Sequence, residues 1–511
     1  MNQDDFDDQT GQSDMDMPVE GAPDHNSMRA RIEAFIGSDD NKARKHVHPR
    51  LIKMFELAGM NNAFVRAEGQ YLWDSEGNRF LDFLGGGGVY LMGRNQPSIH
   101  GAVAEVLGMN LPNLTVINAS VLGGMVAEKL LELGGPQYSK VVYTNSGTES
   151  TEVALRFARN VTLRRRFLFL EGAFHGRTYA AMSCCGWEQL RSGIDPAMPT
   201  CTPIKAGNLA QLRRELKMGD VAAFIFEPVQ GMTGQRIDPS YLREAEALCK
   251  EHGTILIADE VQTGLGRTGA WFASREAGVR ADMLTTSKAL SGGGSAVGAV
   301  LVDESIYNKV YAGFSSGLNH FSTFAESNAA MASALATIEF LESIDAPALA
   351  KEKGEYLRNG LLDIADRYDC IDYIAGLGLM ITIYFKDSEN PSLLAQQKVM
   401  AAADSGAFAA ALNVEMYKNQ GILVQVPGPG LNAIKILPPA VATQEDLDYF
   451  LSCFEDTLAG FYNRQGPATS LVGGMVSTAV KNLMPGGAMP PLQRALGLAP
   501  AAEKKTLTNE S

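Results

Sequence analysis

The stretch Thr254-Ile255-Leu256-Ile257-Ala258-Asp259-Glu260-Val261-Gln262-Thr263-Gly264 decides how this chain is read. Its apolar run has the length of a buried strand, and the acidic pair that ends it marks the passage into a loop. Runs of the same kind at 141–144, 167–170, 222–226, 283–286 and 297–302 alternate with segments of helical period. Strands and helices taken in turn imply an α/β fold with a mostly parallel sheet covered by helices on both faces. Ligands of such sheets bind beyond the carboxyl ends of the strands, so the polar residues that follow each run are the candidates for function.

Four of these ends stand out. After 141–144 comes Asn145-Ser146-Gly147-Thr148, opening a helix that Ser146 and Glu149 cap as an S-x-x-E box and that repeats Ala154, Phe157, Ala158 and Val161 on one face. Open N–H groups, a hydroxyl and a glycine at a helix start suit a phosphate or another anion, although an ordinary cap has the same look. Phe174-His175-Gly176-Arg177 follows 167–170 and suits either a planar ligand or a structural aromatic pair. Asp259 suits a base, a metal ligand or a partner for a cationic ring nitrogen; with no His or Cys close by in sequence, metal is the weakest of the three. Thr285-Thr286-Ser287-Lys288 ends another strand. A lysine among apolar and hydroxyl residues is seldom there for solubility, and burial lowers its pKa toward a nucleophilic amine; the alternative is a snorkelling surface lysine.

None of these signals is specific by itself, but their order is. An anion-binding helix start, an aromatic plate, a strand-end carboxylate and, 29 positions after it, a buried lysine are the parts needed to hold pyridoxal 5'-phosphate. In that arrangement the helix start takes the phosphate, the ring lies against Phe174, Asp259 keeps the pyridine nitrogen protonated and Lys288 forms the Schiff base.

The remaining sequence bounds the possibilities. The chain has 511 residues, 45% of them hydrophobic, with 44 Lys+Arg against 58 Asp+Glu and a formal net charge of −14. Eight of the acids fall in residues 1–26, which contain no Lys or Arg; such a segment cannot bury enough surface to offset ordering and reads as disordered. The acidic balance argues against a nucleic-acid partner, and the one basic run, Arg164-Arg165-Arg166, reads as a solvated helix end. Cys184, Cys185, Cys201, Cys249, Cys370 and Cys453 form no C-x-x-C pair and no zinc-ligand spacing, so they read as reduced thiols of a cytoplasmic protein without a structural metal. No signal peptide and no apolar run of the roughly 18–20 residues of a membrane span is expected.

Around the central region, Tyr71-Leu72-Trp73 and Arg79-Phe80-Leu81-Asp82-Phe83 flank a turn and read as a hairpin. Met331, Ala334, Leu335, Ile338 and Leu341 mark a helix leading to a smaller α+β unit, in which Ile381, Ile383 and Phe385 alternate as a strand. The expected division is an acidic segment over 1–40, an N-terminal segment over 41–100, a large domain over 101–344, a small C-terminal domain over 345–462 and an extension over 463–511. In that extension Leu471, Val472, Met475, Val476, Ala479, Val480 and Leu483 fall at helical spacing, read as a short packed helix or as a partner or membrane-surface helix.

With these residues in view, the chain resembles the class III pyridoxal-phosphate aminotransferases, the family of ornithine, acetylornithine and ω-amino acid aminotransferases. The resemblance runs from about Tyr71 to Phe461, through 71–83, 145–152, 174–177, Glu227-Pro228-Val229-Gln230-Gly231, 257–269, 286–294, 322–324, 376–380 and Pro438-Pro439. It implies a fold-type-I transferase, a homodimer with the active site at the subunit interface. By resemblance, Ser146, Gly147 and Thr148 hold the phosphate, Phe174 stacks on the ring with Val261 on the opposite face, and Gln262 approaches the ring hydroxyl. His175 and Glu227 join Asp259 and Lys288 in the cofactor set. Thr323 reaches the phosphate bound by the neighbouring subunit.

The departures fall on the substrate side. Ornithine-type members carry glutamate after the Gln-Gly pair and a carboxylate-binding arginine before the paired prolines, a switchable pair that lets one pocket take an ω-amine and then an α-carboxylate. Here the positions hold Met232 and Lys435. Met232 cannot pair, and Lys435 offers a point charge without arginine's planar fork. Gly85-Gly86-Gly87-Gly88 stands where relatives put larger residues, Arg94-Asn95-Gln96 replaces a His-rich segment, and Ala325-Glu326-Ser327 replaces a Gly-Gly-Asn element. The glycines, Gly87 in particular, imply either a roomier pocket for a long or bulky amine or only a tight turn.

The reading is thus an aminotransferase acting on a terminal or other non-α amine, or aminating the corresponding aldehyde or ketone, with an amino acid or keto acid as the other substrate. Aminomutase or decarboxylase chemistry on the same cofactor is the first alternative, and a non-catalytic scaffold of the same architecture is the second.

Overall fold

The computed structural model describes residues 30–36, 43–115, 119–192, 198, 200–313, 316–317 and 319–463. The acidic head and the helix read over 471–483 lie outside them.

Helix α1 (Pro49–Ala58) starts on a proline, whose missing N–H costs nothing in a first turn, and stops at Gly59 in the left-handed conformation, φ 71°. None of its residues is buried, although its sequence is amphipathic. Strands β1 (Phe64–Glu68), β2 (Tyr71–Asp74) and β3 (Arg79–Asp82) form an antiparallel meander, which contains the expected hairpin. Its turn is fixed by Asp74, whose Oδ1 accepts the N–H groups of Glu76 at 3.0 Å and Asn78 at 2.9 Å.

The large sheet has seven strands in the order β4-β10-β9-β8-β7-β5-β6. They are β4 (Lys140–Thr144), β5 (Arg166–Leu170), β6 (Cys201–Ile204), β7 (Val221–Phe226), β8 (Ile255–Asp259), β9 (Met283–Thr286) and β10 (Gly298–Val302). Strands β9, β8, β7, β5 and β6 are mutually parallel, while β10 runs antiparallel to both of its neighbours. Every residue of β7, β9 and β10 is buried, which is why these strands read as unbroken apolar runs rather than alternations. Strand β6 gave no such signal: Cys-Thr-Pro-Ile carries a proline, tolerated because the strand lies on the sheet edge.

Helix α2 (Gly147–Thr162) buries Val153, Ala154, Phe157 and Ala158. Its Ser146 hydroxyl accepts the Glu149 N–H at 3.3 Å, and the Glu149 carboxylate accepts the N–H of Asn145 at 2.7 Å, so the box closes one residue earlier than in the usual form. The neighbouring arginines are structural: Arg164 donates to the carbonyls of Val221, His252 and Gly253, and Arg166 pairs with Glu215 and Asp220.

Helices α3 (Asn328–Ser343) and α4 (Ala346–Ala365) lead to an antiparallel sheet of β11 (Ile371–Leu377), β12 (Met380–Phe385) and β14 (Ala433–Ile436). Helix α5 (Ala407–Gln420) precedes β13 (Ile422–Leu423), which pairs parallel with β3, and helix α6 (Gln444–Asn463) closes the described chain. Arg267, fully buried in the loop beyond β8, ties the two sheets by donating to the carbonyls of Leu379 and Pro438. It has no carboxylate partner among the described residues, and burial pushes its pKa down to about 9. All six cysteines are free thiols, and no described helix is long and apolar enough to cross a membrane.

The smaller sheet docks on α4 at one point of closest approach. A Cβ at Gly354 would run into the backbone of Gly378, in the β11–β12 turn, and backbone cannot swing aside as a side chain does. Gly354→Ala is therefore expected to destabilise the protein by about 1–3 kcal/mol. Gly460→Ala, at a helical position with nothing within 4 Å of the new methyl, is expected to be neutral or to stabilise by up to about 1 kcal/mol. Urea denaturation of the two variants against the parent checks this.

Candidate active site

Because β10 is antiparallel to both β4 and β9, the carboxyl ends of β4, β5, β7, β8 and β9 all lie on one edge of the large sheet. That edge brings together residues scattered from Asn145 to Lys288.

Asp259, the last residue of β8, is buried. Its Oδ2 lies 2.7 Å from His175 Nδ1, and its Oδ1 accepts the Val261 N–H at 3.1 Å and the Thr285 hydroxyl at 3.3 Å. Burial works against a charged imidazole at His175, but the hydrogen bond and charge of Asp259, with the charge of Glu227, outweigh it and raise the pKa. The other ring nitrogen of His175, Nε2, is buried with no partner among the described residues. Glu227, just past β7, accepts the Phe174 N–H at 3.0 Å on one oxygen and the Gly231 N–H at 2.7 Å on the other. Burial raises its pKa and Asp259 adds to the rise, while His175 opposes it.

Lys288 follows β9 and is half-buried. Its backbone has φ 32°, a conformation that costs a non-glycine residue about 1–2 kcal/mol. The bend is held by the Ser287 hydroxyl, which donates to Val297 O at 2.7 Å, and by the Ser291 hydroxyl, which donates to Lys288 O at 2.8 Å. Burial lowers the amine's pKa, against the opposing charges of Asp259 and Glu227. The amine makes no hydrogen bond among the described residues.

The helix start faces this group. With the Glu149 N–H taken by Ser146, the first N–H groups of α2, on Gly147 and Thr148, stand at its open end. Gly147 is kept small by Val261: an added Cβ would sit 2.5 Å from Val261 Cγ1. The Thr148 hydroxyl accepts the N–H groups of Arg177 at 3.1 Å and Thr178 at 3.2 Å, tying α2 to the loop that carries half-buried Phe174 and, over its ring at 5.6 Å, Arg177.

On the other side, Gln262 donates from Nε2 to Gly87 O at 2.7 Å and accepts from Lys435 Nζ at 2.6 Å. Lys435 is completely buried and donates also to Gly231 O, so its charge is already committed to two carbonyl oxygens. Burial, helped by the nearby cations Lys288 and Arg267, drives its pKa well down against Glu227. Met232 lies beside Gly428, whose added Cβ would come 2.9 Å from Met232 Cε. All four residues of the run Gly85–Gly88 have positive φ, between 57° and 103°, so the backbone itself demands glycine there. Gly87 also has open space around it, with nothing within 4 Å of an added Cβ.

Thr323 stands apart within this chain. It is exposed and lines a separate cavity of about 760 Å3 that also includes Tyr143 and Glu326, while its neighbour Ser322 accepts from Asn145 Nδ2 at 2.6 Å. Thr285 and Arg267 were not singled out from sequence. Thr285 reads from sequence only as one of two adjacent threonines at the end of the strand that leads to Lys288.

These groups fit pyridoxal phosphate: a buried carboxylate at the end of β8, an open helix end whose Gly147 packs against Val261, and an amine without a hydrogen-bond partner among the described residues, with Gly88 kept small beside it. The model of the aminotransferase class-III family matches residues 57–458. The chain belongs to that family. Class-III aminotransferases are pyridoxal-phosphate-dependent transaminases, and the chain shares their cofactor and reaction class. It is 30% identical over 466 residues to the aminotransferase PigE of Serratia sp., covering 84% of this chain and 55% of that protein, so it spans only about half the length of that relative. It is 33% identical over 386 residues to the acetylornithine aminotransferase of Bacillus cereus, covering 75% of this chain and 92% of the relative. Among solved structures, the ornithine aminotransferase of Toxoplasma gondii superposes with a TM-score of 0.71 at 24% identity, covering 86% of this chain and 98% of that one. The expected fold class, an α/β fold with a mostly parallel sheet flanked by helices plus a smaller α+β unit, agrees with this structural neighbour.

In this class-III aminotransferase the His175–Asp259 pair sets a pH dependence. A raised histidine pKa contributes stability that is complete below the unfolded value of about 6.5 and is lost as pH rises through the folded value. The stability difference between the cofactor-free parent and His175→Asn is therefore expected to narrow as pH is raised from below about 6.5 into the alkaline range. Urea midpoints across that range check it, and a difference that stays constant contradicts it.

Proposed function

We propose that the chain is a homodimeric, cytoplasmic aminotransferase that moves an amino group between a terminal or other non-α amine, or its aldehyde or ketone counterpart, and an amino acid or keto acid. Lys288 and Asp259 are its catalytic residues. The observation that carries the reading is the pairing on one sheet edge of a low-pKa lysine amine with a buried carboxylate that is itself held by His175 and Thr285.

Bound pyridoxal phosphate supplies a ring that withdraws the electron pair left when a substrate C–H bond breaks. The protein's part is to bind, orient and move protons. The N–H groups of Gly147 and Thr148, with Ser146, take the phosphate at the positive end of α2. Phe174 and Val261 would confine the ring. Glu227 fixes the backbone of Phe174 and of Gly231, so the aromatic plate and the substrate side share one brace. Asp259 would pair with the ring nitrogen, and His175 orients that carboxylate. Lys288 would hold the cofactor by its amine, and the same amine, once free, would carry a proton from the substrate carbon. A depressed pKa favours this, because only the unprotonated amine accepts a proton.

Gln262, bonded to Lys435, approaches the ring hydroxyl. On the substrate side, Met232 removes the acid that would switch the neighbouring cation, and Lys435 answers to the carbonyl oxygens of Gly231 and Gln262 instead. A substrate carboxylate must compete with those two acceptors for Lys435, which disfavours α-amino acids as the amine donor and fits a non-α amine. Gly87 leaves room where that amine enters. Thr323, exposed on its own chain, is free to complete the phosphate site of a second copy.

Purified protein loaded with pyridoxal phosphate is expected to show the visible absorbance of a lysine-bound cofactor and to convert an amine donor into a stoichiometric amount of carbonyl product only when a keto acid or aldehyde acceptor is present. Lys288→Ala is expected to lose the band and at least about 10³-fold in transfer rate. Retention of the band by that variant, or consumption of amine without acceptor, contradicts the proposal.

A further inference from the structure

Lys435 stands on β14 with its backbone fixed on both edges. It lies opposite Thr382 of β12, and on the other edge it exchanges both backbone hydrogen bonds with Gln425, at 2.9 and 2.7 Å. From that rigid base its completely buried amine donates to Gly231 O and, at 2.6 Å, to Gln262 Oε1. Neither acceptor is a carboxylate. A buried cation without an acid beside it is costly, so its use has to be sought in the groups it holds.

The first of these is Gln262, in the loop after β8, whose carboxamide is caught at both ends. Gly87 O can only accept, so the end that faces it at 2.7 Å is the nitrogen, and the end that faces Lys435 is the oxygen. Nε2 carries two hydrogens, and Gly87 takes one. Nε2 and Lys288 Cδ both lie beside Gly88, 3.5 and 3.7 Å from the point where a Cβ of that residue would stand. A donor with one hydrogen unspent among the described residues is therefore next to the side chain of Lys288.

The second is Gly231. Its N–H is held by Glu227 at 2.7 Å and its carbonyl by Lys435, and a Cβ there would come 2.9 Å from Glu227 Oε1 and 3.2 Å from Gln262 Oε1. Lys435 thus joins three segments, those after β7 and β8 and its own strand, at the point where the carboxamide is set.

We propose that Lys435 is a positioning residue for the cofactor and not a site for a substrate carboxylate: by holding Gln262 Oε1 it aims the carboxamide so that the unspent N–H donates to the ring oxygen of pyridoxal phosphate carried on Lys288. The inference rests on the cofactor reading of Lys288 and Gln262 and adds what Lys435 does. A hydrogen bond into the amide oxygen also polarises the amide and strengthens the N–H at its other end. That N–H favours the anionic form of the ring oxygen, so the proton shared between this oxygen and the lysine nitrogen leaves to solvent at a lower pH.

The test follows the visible band of the cofactor-loaded full chain against pH in the parent, Lys435→Met, Gln262→Leu and the double variant. Gln262→Leu is expected to raise the pH at which the band titrates by about one unit. Lys435→Met is expected to raise it by at least about half as much. The double variant is expected to titrate with Gln262→Leu, since a residue that acts through another adds nothing once the other is gone. Lys435→Arg, which also only donates, is expected to stay within about 0.3 unit of the parent. If methionine is not tolerated among the buried oxygens, Lys435→Gln serves in its place: it keeps a donor but can also accept, and it is expected to shift the band in the same direction. Transfer to pyruvate and to propanal, acceptors with and without a carboxylate, is compared in parallel, and Lys435→Met is expected to keep the ratio of their kcat/KM values within about threefold of the parent's.

An unchanged titration after substitution of Lys435 overturns the inference, as does a shift as large in the Gln262→Leu background as in the parent, which would make Lys435 act by charge alone. So does a loss of about tenfold or more confined to pyruvate, which would make Lys435 the carboxylate site. The expected shifts together with no transfer from any donor uphold the role of Lys435 and fault the transaminase reading instead, whereas a parent without the band contradicts both.

Discussion

A carboxylate at the end of a strand buried on both faces is costly unless its oxygens find hydrogen-bond partners, and Asp259 has three from three elements. The imidazole of His175 comes from the loop after β5, the Thr285 hydroxyl from β9 and the Val261 N–H from the loop that follows β8 itself. Because one carboxylate draws on all three, moving any of them disturbs the others. The loop bearing His175 also carries Phe174, which Glu227 holds from β7, and it is tied to α2 through Thr148. Strand β9 leads directly into Lys288, so the geometry of the anion, the aromatic ring and the amine is set by one buried charge and its partners.

The strain at Lys288 belongs to the same economy. A lysine with φ 32° persists only where its surroundings over-determine it, and Ser287 and Ser291 fix the chain on both sides. The result is an amine in reach of Asp259 and Glu227 electrostatically yet without a hydrogen bond to either. A firm ion pair would raise the amine's pKa; here burial dominates and lowers it.

Much of this was legible in the sequence where local chemistry and fold agree. The run ending at Asp259 is a strand because both of its faces are covered, and its neighbours repeat the signal. The cap at Ser146 is written in four residues, and the hairpin after Tyr71 in its turn. What was not legible depends on distant partners. Strand β6 is short and polar because it sits at an edge, and β10 turns antiparallel although its composition matches that of its parallel neighbours. The run Gly85–Gly88 reads either as missing bulk or as a tight turn, and only the structure shows four consecutive positive φ angles that require glycine whatever the pocket holds. Lys435 reads as an available charge, yet it is buried between the carbonyl oxygens of Gly231 and Gln262, residues 204 and 173 positions away.

The substrate side follows from the same logic as the cofactor side. With methionine at 232, Lys435 is held by neutral oxygens, those of Gly231 and Gln262, and not by an acid. Everything in this account requires that the charge of Asp259 act on the ring nitrogen of the cofactor. Nitrogen-15 NMR of the protein loaded with ring-labelled pyridoxal phosphate measures that directly. A protonated ring nitrogen in the parent protein, converted to the unprotonated shift in Asp259→Asn, is the result this account requires; the same shift in both proteins would contradict it.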